Sequence, residues 1–579
     1  MRGTTRLLAT QVVQRPSLDL VRSRLDPRRQ AILATAAVTG VLVGLAIAAF
    51  DKITGDVLLG RLFRASLPVQ ALTPVVGLLV AALALRYLAG GASPSTSDEY
   101  VRFYHDRNRR FDLRPMAGRV IASIATLGSG GALGFEGPSI YIGAGIGSAL
   151  QRRLSRLFRR DEAKALLIAG AAGGVAAIFK APATGVLFAL EVPYRDGITP
   201  RGMLSALVAG ATSYLTYAAL IGTEPLFRLS TRGSTTFRLQ ELAGALVVGL
   251  LAGLGARAFA IGVRWSKSAA NRAPAWARVV LAGAGLAGLV LATHAMYDQA
   301  LSLGPGYRTF AWMSSPDRAL WLVAALFAFR FGAALLTLGG GGSGGLFIPL
   351  VMQGALLGRF VAGAYDGLGL SAAGHVEASS SLFPVLGIAS FLGAGYRTPL
   401  AAVMFVAEST GDAVFVVPAL VAAAISQLVM GHETVSSTQA ESRTGALERR
   451  LPLPVSSVLR ADVLTVPPDA TVAEFVWVHL VGNRQRSVPV VDGSTYVGMC
   501  GMEEVAMIER GAWDDTTVAD IMRTDLPVGV PSWTIRDALQ ALERADVDCL
   551  GVVGPDGTFA GELRTSEIMK LAEILSETE

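Results

Sequence analysis

Between residues 31 and 430 the chain consists mainly of apolar runs, among them AILATAAVTGVLVGLAIAAF, LTPVVGLLVAALALRYLAG and LVVGLLAGLGARAFAIGV. Several are long enough to cross a bilayer, which takes about 20 residues. That pattern reads as a polytopic helical membrane protein. Composition agrees: 17% of residues are charged, against about a quarter in soluble domains. The amino terminus, MRGTTRLLATQVVQRPSLDLVRSRLDPRR, is too polar for a signal-peptide core. Its seven arginines place segment 1–30 on the cytoplasmic side by the positive-inside bias. The net charge of +6 needs no nucleic-acid partner, because the excess sits in termini and loops such as RRLSRLFRR, where it sets topology and meets anionic lipid. A cell-membrane location with both termini cytoplasmic is expected.

Composition changes near residue 431, which divides the chain into a membrane domain (31–431), a linker (432–454) and a soluble tail (455–579). The membrane domain repeats itself, over about 31–222 and 238–431. FKAPATGVLFALE resembles GYRTPLAAVMFVAE, with Pro182 opposite Pro399 and Glu191 opposite Glu408; GFEGP and GGLFIP set Pro138 opposite Pro349. Duplications of this kind build transporters, with the site at the repeat interface between broken helices. The tail repeats too, over about 455–510 and 520–575, in the order strand, helix, strand, turn, strand, helix. It resembles a tandem pair of CBS domains, a soluble α/β module. Its two cysteines, Cys500 and Cys549, lack metal-ligand spacing to a histidine, so no metal or other required cofactor is expected.

The stretch GSGGALGFEGPSIYIGAG carries one acid, Glu136, in an otherwise uncharged span from Val120 to Gln151. A glycine-rich turn that opens a helix leaves amide N–H groups unpaired, with the positive end of the helix dipole behind them. Such an end binds anions. Pro138 and Pro349 each suit a first helical turn, so two turns from two repeats can converge on one anion without a full positive charge. Glycines in membranes also let helices pack closely, which is the plainer reading of an isolated pair; recurrence at matching repeat positions favours the anion site. Glu191 and Glu408 read as helix-end anchors.

GFEGP resembles the GxEGP motif of the CLC chloride channel and chloride/proton exchanger family, and GGLFIP its GxFxP motif. FKAPATGVLFALE and YRTPLAAVMFVAE are similar to its PxxGxxFxxE-type segments, and tandem CBS domains are a common CLC tail. The resemblance covers about residues 30–579. It implies a homodimer with one pore per subunit, a fold of inverted repeats, and no enzymatic activity. It implies Glu136 as the gating glutamate, Leu346 and Phe347 amides at a central anion site, and amides around Phe135 and Gly137 at an outer one. Chloride or a similar small anion is then the substrate, with protons as a second.

Three positions depart from that pattern. The family's GSGIP serine falls on Gly91 of GGASP, with Ser93 available by a shift. The family's inner tyrosine falls on Val435 or Ser436. Where exchangers often read EE, this chain has Glu191-Val192. The expectation is a glutamate-gated, channel-like or weakly proton-coupled pore, with a strictly coupled antiporter as the alternative. In the tail, Thr565, Ser566 and Glu567 resemble the hydroxyl and ribose-binding acid of a nucleotide-binding CBS repeat, which implies ATP, ADP or AMP as a ligand. Two other classes fit less well. An intramembrane serine protease built on Ser343 lacks a histidine inside an apolar run. A CBS-regulated divalent-cation transporter would cluster acids in its membrane helices.

Overall fold

The computed structural model describes residues 27–106, 111–158, 162, 164–199, 202–224, 239–315, 317–370, 376–442, 451–483, 485–568 and 570. Most of the 1–30 segment and part of the 432–454 linker lie outside them. The chain forms two compact units, Met1–Arg443 and Thr444–Glu579.

Among the described residues of the first unit, seven helices are long and apolar enough to cross a membrane: Pro27–Leu62, Leu67–Leu88, Met203–Ile221, Leu242–Arg272, Ala275–Tyr297, Leu320–Gly339 and Phe347–Gly367. Others are too short. Pro182–Glu191 and Pro399–Thr410, with 10 and 12 residues, extend about 15 and 18 Å at 1.5 Å per residue, against a hydrocarbon core of about 30 Å. Each follows a longer helix, Ala165–Phe179 and Val376–Tyr396, and the break is made the same way twice. Lys180 and Arg397 take left-handed backbone, at φ 54° and 55°, which stops the first helix. Pro182 and Pro399 then open the next.

These two short helices fix the relation between the repeats. Glu191, ending the first, accepts hydrogen bonds from the amides of Leu400 (3.2 Å) and Ala401 (2.8 Å) at the start of the second. Glu408, near the end of the second, accepts from the amides of Ala183 (2.9 Å) and Thr184 (2.7 Å) and from the Thr184 hydroxyl (2.6 Å). The end of each helix can reach the start of the other only if the two run antiparallel. The repeats are therefore inverted, and the two acids cap each other's helices.

Some glycines serve packing alone. A Cβ on Gly143 would stand 2.0 Å from the Gly170 carbonyl oxygen, and one on Gly354 would stand 2.2 Å from that of Gly387. Here the helix Glu136–Arg153 crosses Ala165–Phe179, and Phe347–Gly367 crosses Val376–Tyr396, backbone against backbone.

The second unit holds two antiparallel strand pairs, Ser487–Asp492 with Thr495–Gly501 and Cys549–Val553 with Phe559–Arg564. Each has its own hydrophobic core. A helix in each copy opens on a threonine whose hydroxyl accepts an amide hydrogen bond, Thr471 from Glu474 and Thr534 from Asp537.

Candidate functional site

The two glycine-rich turns meet. Gly134 and Gly345, equivalent residues of the two repeats, exchange a pair of backbone hydrogen bonds, each 2.8 Å. The helices Glu136–Arg153 and Phe347–Gly367 start two residues further on, so their free amide ends share one buried place. Into it projects Glu136, fully buried. Its Oε1 accepts a hydrogen bond from the Phe347 amide at 2.5 Å, so the acid of one repeat sits on the helix start of the other. Its Oε2 has no hydrogen-bond partner among the described residues. Cβ atoms on Gly134 and Gly345 would each stand 1.9 Å from a Glu136 carboxylate oxygen; only glycine leaves the carboxylate room. An anionic oxygen thus occupies a helix amino terminus, which is where a free anion would bind.

The residues named from sequence divide into two groups. Phe135, Glu136, Gly137, Leu346 and Phe347 lie together at the paired turns, all of them buried. Gly91 and Ser93 do not join them. Gly91 is exposed with open space about its Cα, and the exposed Ser93 accepts from the Ser95 amide. Ser436 is buried, but its hydroxyl donates to Asp98 Oδ1 at 2.7 Å. Asp98 also takes Ser95 Oγ at 2.9 Å and Lys267 Nζ at 3.1 Å, so Ser436 belongs to a polar anchor rather than to the amide cradle. Val192 is buried, with its carbonyl held by Gln439. Ser343 pairs with Ser123 Oγ and donates to the Pro94 carbonyl.

Three hydroxyls that motif spacing does not single out lie at the paired turns. Tyr396, the last residue of Val376–Tyr396, is buried, and its phenol oxygen accepts from the Leu346 amide at 3.3 Å. Ser97 Oγ lies within hydrogen-bonding reach of that phenol. Thr96 Oγ1 is buried without a partner among the described residues, 2.5 Å from where a Gly137 Cβ would be. Tyr396 stood in plain view in GYRTP, yet nothing in its spacing says that it turns back to the GGLFIP turn. An aromatic wall holds these groups. The Phe347 ring lies 4.3, 5.2 and 5.1 Å from Phe179, Phe188 and Phe405, and Phe188 meets Tyr396 edge-on at 5.3 Å. Buried Arg330 donates to the carbonyls of Gly304 (2.8 Å) and Pro305 (2.7 Å), while Gly304 N–H bonds the Gly130 carbonyl. It thereby fixes a loop against the first glycine turn.

In the tail, Thr565 binds the Asp548 carbonyl through its amide at 3.0 Å, Ser566 is exposed and Glu567 pairs with Lys570 at 2.9 Å. An open cavity of about 730 Å³ lies elsewhere, lined by Arg523, Asp525, Trp533, Asp537, Gln540 and Arg544. Arg564 of the second copy bonds the Ser487 carbonyl of the first at 2.9 Å and pairs with buried Glu562 at 2.7 Å.

Comparison with known proteins gives a consistent answer. Residues 76–431 match the family described as voltage gated chloride channel, and residues 455–509 and 518–573 match the CBS domain. The chain is 27% identical over 445 residues to an H(+)/Cl(-) exchange transporter ClcA of Citrobacter koseri, across 71% of this chain and 88% of that one. Its counterpart from Salmonella paratyphi B is 26% identical, across 72% and 89%. Among solved structures, a CLC-type fluoride/proton antiporter superposes with a TM-score of 0.61 at 23% identity, covering 71% of this chain and 98% of the other. A slow cyanobacterial Cl-/H+ antiporter gives 0.61 at 20% identity, over 70% and 94%. A eukaryotic CLC transporter gives 0.56 at 17%, over 93% and 97%.

Proposed function

This chain belongs to the voltage gated chloride channel family and carries two CBS domains, and on that premise we propose that it moves chloride, or a similar small anion, through a pore gated by Glu136, with proton movement coupled to the gate. The observation that carries this reading is the Glu136 carboxylate on the Phe347 amide, at the meeting of two inverted helix starts. A buried carboxylate with one oxygen unpartnered among the described residues is held there at a desolvation cost. An anion that takes the amide, or a proton that neutralises the acid, releases it. The swing of one side chain then passes an anion one way and a proton the other. Relatives named as H+/Cl- exchangers support the proton half of this reading.

Flux from liposomes reconstituted with the full chain, with chloride and proton movement recorded together, tests it. Chloride efflux driving proton uptake against a gradient is expected. Absence of chloride flux in every condition refutes the reading. A channel-like leak with weak coupling is the second reading, and one observation favours it: buried Val192 stands where a second acid would serve as an inner proton stop. A fixed anion-to-proton ratio in the same experiment rejects that alternative.

The remaining assignments follow from the family likeness. The chain acts as a homodimer in the cell membrane, with both termini cytoplasmic and the tail a regulatory module that takes ATP, ADP or AMP near Thr565, Ser566 and Glu567. Crosslinking in membranes checks the dimer, and protease access from each side checks the orientation.

A further inference from the structure

On the transport reading above, Glu136 must meet a proton at the paired turns, and its own segment from Val120 to Gln151 holds no other acid or base to hand it one. We propose that Asp51 is the outer proton station for Glu136, taking a proton from water on the far side of the membrane and passing it inward by way of the Tyr307 hydroxyl. The assignment rests on that reading and deepens it, by naming how the proton reaches the gate.

Asp51 ends the helix Pro27–Asp51, where the backbone widens into the π-helix Lys52–Leu59; such widenings recur at functional sites. On the orientation proposed above, those 25 residues carry the chain about 37 Å from the cytoplasmic side to the outer one. There the acid is half-buried, so water still reaches it. Its Oδ2 accepts from the Tyr217 hydroxyl at 2.5 Å. No cation pairs with it among the described residues: Lys180 and Asp56 act on it only through space. An acid without a cation partner exchanges its proton more readily than one pinned as a carboxylate. Its Oδ1 lies toward the first glycine turn. A Cβ on Gly55 would stand 2.9 Å from that oxygen and 3.9 Å from the Phe135 ring, so acid and ring share one corner, and Phe135 directly precedes Glu136. Phe50, directly before Asp51, meets the same ring edge-on at 5.9 Å. Tyr307, opening the helix Tyr307–Met313, lies within electrostatic reach of both carboxylates and of Tyr217. Thr54, three residues past Asp51, is fully buried with its hydroxyl unpartnered among the described residues, so the buried side of this segment stays polar.

The step balances as a relay. Protonated Asp51 gives its proton to the Tyr307 oxygen as the Tyr307 O–H gives its own to Glu136, directly or across one water. Asp51 is left a carboxylate, Glu136 a neutral acid and the phenol unchanged. Neutral Glu136 then leaves the Phe347 amide, and Asp51 takes its next proton from the outer water. A fixed carboxylate so close to the gate repels an arriving anion, so its use lies with the proton.

Chloride and proton flux recorded together from liposomes of the full chain tests the relay. Asp51→Asn keeps an acceptor for Tyr217 but carries no proton; it is expected to slow chloride-driven proton uptake about tenfold or more, and Asp51→Glu to restore most of the rate. Tyr307→Phe is expected to repeat the loss. Asp56→Asn, which removes an equal charge from an exposed position of the same segment, is expected to change little. Added to Glu136→Gln, whose side chain takes no proton, Asp51→Asn is expected to leave chloride flux as it was. That background and the Asp51→Glu rescue separate a relay from a fold defect. An unchanged proton rate in Asp51→Asn or Tyr307→Phe, an equal loss in Asp56→Asn, or a further fall of chloride flux on the Glu136→Gln background overturns the relay while the transport reading stands. A wild type that moves chloride without protons ends both the relay and the proton half of that reading.

Discussion

Glu136 has two carboxylate oxygens in unlike settings, one on the Phe347 amide and one with no partner among the described residues. Replacing it by glutamine removes the charge that, on the gating reading proposed above, competes with the anion, and keeps the shape. Glu136→Gln should therefore bind chloride more tightly, lose the pH dependence of its flux and cease to move protons. A variant whose flux still rises as pH falls would refute the gate. At the same scale the tail cysteines behave as core residues. Both are buried and free of disulfide, and burial pushes each thiol up to about 12. Below about pH 8.5 folded and unfolded chains both keep the protons, so that contribution to stability is fully present. As pH rises from there toward 12 the unfolded chain ionises first, and stability falls. Iodoacetamide at pH 9 should accordingly label native protein far more slowly than denatured protein, and equal rates would show the thiols to be exposed.

Among the elements, the reciprocal caps and the glycine crossings give opposite kinds of prediction. Glu408 satisfies two amides and a hydroxyl at the start of Pro182–Glu191. Glu408→Ala leaves them unpaired and should cost about 1–3 kcal/mol, read as a lowered thermal midpoint in detergent. A shift no larger than that of an exposed control would deny the capping role. Gly354→Val forces a Cβ to within 2.2 Å of a carbonyl oxygen of the facing helix and should sharply reduce the folded yield. Gly288→Ala, in Ala275–Tyr297 with nothing within 4 Å, should be neutral or gain about 0.5–1 kcal/mol. Expression followed by size-exclusion profiles separates the two. The glycines of GSGGALGFEGPSIYIGAG thus split between jobs that composition cannot distinguish: Gly134 and Gly137 make room at the paired turns, and Gly143 lets two helices touch.

For the molecule as a whole, two units with separate cores allow the tail to be tested by its own ligand. If Glu567 holds a ribose, Glu567→Ala in the full chain should weaken adenine-nucleotide binding about tenfold or more, and an unchanged affinity would remove the site. Sequence alone determined the membrane-spanning character, the duplicated halves, the tail and the place of Glu136, because each is written in features local along the chain: apolar length, recurring Gly-Pro turns, and one acid in an uncharged run. Glu191 and Glu408 were legible as helix ends, but not as caps across the repeat, since the amides they meet are 209 to 225 residues away. The neighbours of the paired turns were illegible for the same reason. Motif spacing carries a hydroxyl to a position along one segment, at Ser93 or Ser436, whereas the hydroxyls of Tyr396 and Thr96 reach the paired turns from other segments. Only the tertiary structure sets Tyr396 beside Leu346 and Thr96 beside Gly137, because that nearness is made by two antiparallel repeats folding onto one shared pair of helix ends.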